Sequence, residues 1–103
     1  MDPLTLGIER LLQAAHVALA VRNGTDADWF AQELEKLYAA HRNRVGNVAV
    51  KRTEDDAILV VGAQGAARKL AREGTYWALD QANPMNDAPV WAPHRVALEL
   101  AHV

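Results

Sequence analysis

The sequence predicts a mainly α-helical single domain, a small helical bundle built on an N-terminal antiparallel αα-hairpin. Two observations support this fold class: helix-capping signals occur twice in the first 28 residues, and apolar residues recur at three- and four-residue intervals after each of them. A chain of 103 residues has room for one domain, 1–103, and half of its residues are hydrophobic. The chain therefore carries enough apolar material for a core.

The first predicted helix covers residues 3–22. Pro3 stands at the first helical position behind Asp2 at the cap, which is the favoured arrangement at a helix start. Asn23 and Gly24 end the helix, because glycine tolerates a left-handed cap. The helical spacing of the apolar residues makes one stripe, formed by Leu4, Ile8, Leu11, Leu12, Ala15 and Leu19.

The second predicted helix covers residues 26–45 and packs antiparallel against the first. Thr25 and Asp28 can form a capping box, and Gly46 ends the helix. The connection between the helices is so short that the two must be neighbours in space. The apolar side of the second helix consists of Phe30, Leu34, Leu37, Tyr38 and His41.

The middle of the chain fits two structures, and we prefer a third helix that begins at about Glu54. Thr53 and Asp56 match a capping box, and acidic residues in a first turn are favourable for the helix dipole. Gly74 then ends the helix. Its buried side consists of Ile58, Leu59, Gly62, Ala66 and Leu70.

The alternative is an α+β fold with a β-hairpin near 48–61, its strands at about 48–52 and 57–61. The β-branched cluster of Ile58, Val60 and Val61 favours it. Two arguments weigh against it: the Glu-Asp-Asp turn lacks the glycine that tight hairpins favour, and a hairpin of two strands is marginally stable alone.

The last third of the chain predicts two short helices. Thr75 can cap a helical piece that carries Tyr76 and Trp77, and Pro84 ends it because proline disfavours helical geometry in the preceding residue. Residues 94–103 predict a final helix from their alanine, leucine and glutamate content, although the alternation of Val96, Leu98 and Leu100 would suit a strand.

Composition argues against most enzyme classes. The chain has no cysteine and no serine, so it offers neither of the commonest nucleophiles, and its net charge is −2. His16 and His41 have no histidine or carboxylate four residues away, so we predict no metal site and no cofactor. No apolar run reaches the ~18 residues of a membrane span, and the N-terminus does not resemble a secretory signal. We expect a soluble, cytoplasmic, non-enzymatic protein.

The most unusual segment is NPMNDAPVWAPHR, residues 83–95, which combines three prolines with large apolar side chains. It can fold back as a lid over the helices, or it can dock on another protein. We predict an interaction or regulatory module, a homodimer in its simplest form. The predicted interaction residues are Tyr76, Trp77, Met85, Val90 and Trp91.

Two other functions remain as alternatives. A small-ligand pocket among the helices would be lined by Trp29, Tyr38 and His41, together with Trp77. Amides near Gly62 and Gly65 could contact an anion with Arg68 and Lys69, although the spacing matches no phosphate-binding motif. A nucleic-acid contact would use Arg42, Arg44, Arg68 and Lys69, but carboxylates interrupt this basic run.

Overall fold

A computed structural model describes residues 2–20, 27–80 and 92–103. In this part of the chain, helices pack on a four-stranded antiparallel sheet, which makes an α+β fold. The elements are α1 (Pro3–Ala20), α2 (Ala27–Ala40), α3 (Arg42–Val45), β1 (Ala49–Arg52), β2 (Ile58–Val61), β3 (Ala67–Glu73), β4 (Tyr76–Leu79) and α4 (Pro93–Ala101). The sheet has the order β1-β2-β3-β4, so β1 and β4 are its two edges.

The prediction of a mainly α-helical bundle is wrong, because the region expected to hold a third and a fourth helix forms β2, β3 and β4. The α+β alternative is confirmed: β1 pairs with β2, with Ala49 opposite Val61 and Arg52 opposite Ile58. Two further strands extend this hairpin, so the instability of an isolated hairpin does not apply.

Thr53 and Asp56, which were expected to cap a helix, instead belong to the turn between β1 and β2. The Thr53 amide donates to the Ala57 carbonyl at 2.9 Å, and the Ala57 amide donates to Thr53 Oγ1 at 3.1 Å. Asp56 has φ 63°, a left-handed conformation that aspartate tolerates better than most residues. Because threonine and aspartate bond nearby amides in turns as they do at helix caps, the pattern cannot distinguish the two.

Glycines make the other two turns possible. Gly65, with φ 92°, is the last residue of the turn between β2 and β3, which the Gly62 amide closes by donating to the Ala66 carbonyl at 2.7 Å. Gly74, with φ 63°, begins the two-residue turn in which Glu73 pairs with Tyr76. Hairpins with loops of two or three residues need a positive φ at such positions. Gly74, expected to end a helix, therefore belongs to a hairpin.

The predicted N-terminal pair of helices is confirmed, although its connection, residues 21–26, lies outside the described residues. Asp2, before α1, forms an ion pair with Arg44 in α3, with 2.5 Å between Oδ1 and Nη1, so α1 runs antiparallel to α2. Asp2 also caps α1 by accepting from the Thr5 amide at 3.0 Å. Hydrogen bonds from Thr5, and the nearby Arg44, hold the pKa of Asp2 well below its usual range. The second helix is shorter than expected, because it stops at Ala40 and α3 follows after a turn.

The core lies between the helices and one face of the sheet. Alternate strand residues point to opposite faces, and those facing the helices are the buried ones. The rings of Phe30 and Trp77 lie 5.1 Å apart across this interface. The main sheet residues of the core are Val50, Ile58, Val60, Leu70, Trp77 and Leu79, and the main helix residues are Leu4, Ile8, Phe30, Leu34, Val96 and Leu100.

The predicted C-terminal helix is confirmed as α4, which packs against α1. The Tyr38 hydroxyl donates to the Leu100 carbonyl at 2.6 Å, and this carbonyl belongs to the last turn, where helices leave acceptors without a partner inside the helix. Burial raises the pKa of Tyr38 well above its usual range, so the hydroxyl stays protonated. The chain then passes close to Gly62, where a Cβ would collide with the backbone of Val103.

Candidate functional site

The structure describes two of the five predicted interaction residues. Trp77 is 2% exposed and packs in the core, so its side chain is not available to a partner. Tyr76 is partly buried and stacks on His16, with ring centroids 3.9 Å apart. Met85, Val90 and Trp91 lie outside the described residues, so their part in an interface stays a prediction.

The side chains of the predicted ligand pocket do not come together. Tyr38 is buried and held by its bond to Leu100, whereas Trp29 is 41% exposed. Nine residues along an α-helix correspond to about half a turn of rotation, so the two face opposite sides of α2. His41 follows the helix end, and its Nδ1 lies 2.9 Å from the Leu37 carbonyl.

Arg68 and Lys69, the predicted anion contact, point to opposite faces of β3 because they are neighbours in a strand. Arg68 reaches α4, where its Nε lies 3.2 Å from Glu99 Oε2. Lys69 lies 3.1 Å from Asp55 and 3.8 Å from Asp80. The hydrogen bond with Asp55 raises the pKa of Lys69. Carboxylates of the chain itself therefore already occupy both cations.

Arg42 differs from the other residues of the predicted basic patch. Arg44 is paired with Asp2, and Arg68 and Lys69 are paired as described. Arg42 is exposed, and no carboxylate in the described ranges forms an ion pair with it. Among the described residues its guanidinium therefore has no carboxylate partner, and it can bind a carboxylate with two hydrogen bonds.

Arg42 lines a shallow groove of about 240 Å³ between the end of α2 and the chain that enters β1. Glu35 lies in the same groove but does not pair with Arg42. Gly46 allows the sharp change of direction there, since its φ of 72° and ψ of −156° are accessible to glycine almost alone. The groove is lined by Glu35, Tyr38, Ala39, Arg42, Gly46, Asn47 and Val48.

The groove continues into the free edge of β1. In an antiparallel pair, every second residue of a strand forms backbone hydrogen bonds with the neighbouring strand. Because the Thr53 amide bonds to Ala57, the residues of β1 that bond to β2 are Lys51 and Ala49. The backbone groups of Val48, Val50 and Arg52 then point away from the sheet, and no described strand pairs with them. Val50 is 8% exposed although Val60 beside it is fully buried, as expected for an edge residue. The sequence points to Arg42 but not to this edge, because the strand order decides which strand lies at an edge.

Arg52 lies at the far end of this edge, where two carboxylates pair with it. Its two terminal nitrogens each lie 2.8 Å from a carboxylate, one of Asp28 on α2 and one of Asp56 in the turn. The hydrogen bond with Asp28 raises the pKa of Arg52. Since Asp28 lies beside Arg52 and Arg42 lies beside Val48, α2 runs antiparallel along β1.

A threonine–histidine contact is a second feature that the sequence did not indicate. Thr75 Oγ1 lies 2.9 Å from His16 Nδ1, and the Thr75 carbonyl lies 3.1 Å from the same nitrogen. A hydroxyl nucleophile needs a base that a third group orients, and no described carboxylate contacts His16. The contact joins α1 to the turn between β3 and β4, which is a structural role.

The described residues contain no group of three or more histidine, aspartate or glutamate side chains placed to hold a metal ion. None of the described helices is long and apolar enough to cross a membrane. Comparisons with protein-family models, curated proteins and solved structures find no match for this chain.

Proposed function

We propose that this protein is a small non-enzymatic interaction module that binds an extended polypeptide segment along the free edge of β1. The observation that carries the proposal is the outward row of backbone donors and acceptors at Val48, Val50 and Arg52. Such a row is a template for an added strand, and neighbouring pockets for side chains supply the specificity. The groove at Arg42 is a pocket of this kind.

The two edges of the sheet differ in a way that favours β1 as the binding edge. β4 packs against α1, and Tyr76 at its start is stacked on His16. β1 packs on α2 through Val50, while Ala49, Lys51 and Arg52 are exposed. A strand added at β1 would lie beside α2. Its side chains could then contact Glu35 and Arg42, which line the groove.

A library of random-sequence peptides displayed on phage tests the proposal. We expect enriched peptides to bind with a Kd in about the micromolar range. They should shift the backbone amide resonances of Val48 and Val50 in NMR spectra, because these amides acquire new acceptors. Enriched peptides that shift only resonances distant from β1, or a library without enrichment, would refute the proposal.

The predicted homodimer through residues 76–93 and the cytoplasmic location stay predictions. The predicted interface begins in β4 at one edge of the sheet, and the proposed binding edge is β1 at the other, so the two can be separated by mutation. Sedimentation of the chain across a range of concentrations shows whether a dimer forms, and substitutions at each edge show which one it uses.

A further inference from the structure

We infer that the segment bound at β1 is β1 of a second copy of this chain, so that two sheets join into one sheet across a two-fold axis. The inference rests on the proposed function, because it uses the same edge. Pairing Val50 with Val50 of the second copy places Val48 opposite Arg52 of that copy. The outward-pointing N–H and C=O groups of Val48, Val50 and Arg52 then pair with those of the second copy, which gives about six hydrogen bonds. A shift of the antiparallel register by two residues leaves some of these groups without a partner.

This register also places no like charges directly opposite each other in the strand pair. Lys51 of one copy lies opposite Ala49 of the other on the outer face of the sheet. Arg52 lies opposite Val48, and its charge is balanced by Asp28 and Asp56 of its own chain. Like charges directly opposite each other destabilise a strand pair, so their absence favours this arrangement.

The same register brings a partner to Arg42. Glu54 is exposed in the turn that follows β1, and no cation in the described ranges pairs with it. Within one chain, β1 separates Glu54 from Val48, so the two residues lie toward opposite ends of this strand. The two-fold pairing brings this turn of the second copy to the Val48 end of β1, where Gly46 and Arg42 line the groove. The two-fold axis then produces two identical Arg42–Glu54 pairs.

Sedimentation equilibrium with charge-swapped variants tests this dimer. We expect a Kd in about the micromolar range for the unmodified chain, because edge pairing buries less surface than standard interfaces do. Arg42→Glu and Glu54→Arg should each weaken the dimer at least about tenfold, since each creates two like-charge pairs. The double variant should recover most of the affinity. Arg10→Glu on the exposed side of α1 is the matched control and should leave the Kd unchanged.

Glu35 tests the register itself. Asp28 lies beside one end of β1 and Arg42 beside the other, and Glu35 is seven residues from each of them. Glu35 is therefore level with the middle of β1, where the two-fold axis passes. The axis then places it near Glu35 of the second copy. Glu35→Gln removes this repulsion and should tighten the dimer by about threefold. A weaker or unchanged dimer would contradict the register.

The outcomes separate this inference from the proposed function. A monomer at all concentrations, or a double variant as weak as the two single variants, would overturn the second copy as the occupant. The proposed function would then stand if phage-selected peptides still shift the Val48 and Val50 resonances. A dimer that leaves those resonances unchanged would contradict the inference as well. Circular dichroism of each variant confirms that the compared chains are folded.

Discussion

Replacement of Phe30 by alanine is expected to lower the free energy of unfolding by about 3–5 kcal/mol. Phe30 is fully buried where α2 meets the sheet, and its ring packs against Trp77. The loss removes a large buried side chain and leaves a cavity that the two layers cannot easily close. Since domains of this size have about 5–15 kcal/mol of stability, we expect a fall in Tm of more than about 10 °C. Urea unfolding followed by circular dichroism measures it.

Trp29→Ala is the matched control for this prediction. Trp29 is the adjacent aromatic residue on the same helix, but its side chain is 41% exposed. Its removal should cost about 1 kcal/mol or less. Equal losses at the two positions would contradict the packing of α2 on the sheet, because a helix that buried both rings would have to lie differently.

Gly46→Ala is expected to cost about 1–3 kcal/mol through backbone strain. The φ of 72° and ψ of −156° at Gly46 lie outside the regions open to residues with a Cβ. A Cβ would also lie 3.1 Å from the Cβ of Ala63. Asparagine should not rescue the position, because its left-handed conformation has ψ near about +47°. Thermal unfolding of both variants measures the effect.

Gly7→Ala separates strain at Gly46 from the general effect of removing a glycine. Gly7 lies inside α1, where alanine is favoured over glycine by about 1 kcal/mol. The Cβ would lie 3.0 Å from Leu37 Cδ2, the end of a flexible side chain, which offsets part of this gain. We expect a change close to zero. A stable Gly46→Ala variant would show that α3 enters β1 by another path.

The sequence predicted the helices because their signals are local and repeated. Asp2 and Pro3 mark the start of α1, and the spacing of Leu4, Ile8 and Leu12 matches the side that the structure buries. Each of these features depends on residues within one or two turns of the same helix. The local sequence is therefore enough to predict where a helix begins and which side of it is buried.

The sheet was harder to predict because its signals are shared with helices. The Thr53 hydroxyl accepts a hydrogen bond from a backbone amide in this turn, as a threonine does at a helix cap. Gly65 and Gly74 look like helix breakers in the sequence, but their positive φ values serve two hairpins. The stability of β1 and β2 also depends on β3, which a local pattern cannot show.

The candidate site was only partly predictable. Arg42 stood out as a member of a basic run. That no carboxylate of the described ranges pairs with it follows from the fold, which pairs Arg44, Arg68 and Lys69 with carboxylates. The role proposed for Glu54 depends on β1 being an edge and on the two-fold pairing. Neither property is encoded near Glu54 itself.

Hydrogen exchange at the backbone amides of β1 tests the proposed edge pairing most directly. In the single chain, the Lys51 amide bonds to β2 while the Val48 and Val50 amides point outward. We expect exchange at Val48 and Val50 to slow as the protein concentration rises through the dimer Kd, while Lys51 stays protected at every concentration. Exchange at Val48 and Val50 that does not depend on concentration, in a sample that sedimentation shows to be dimeric, would contradict pairing through β1.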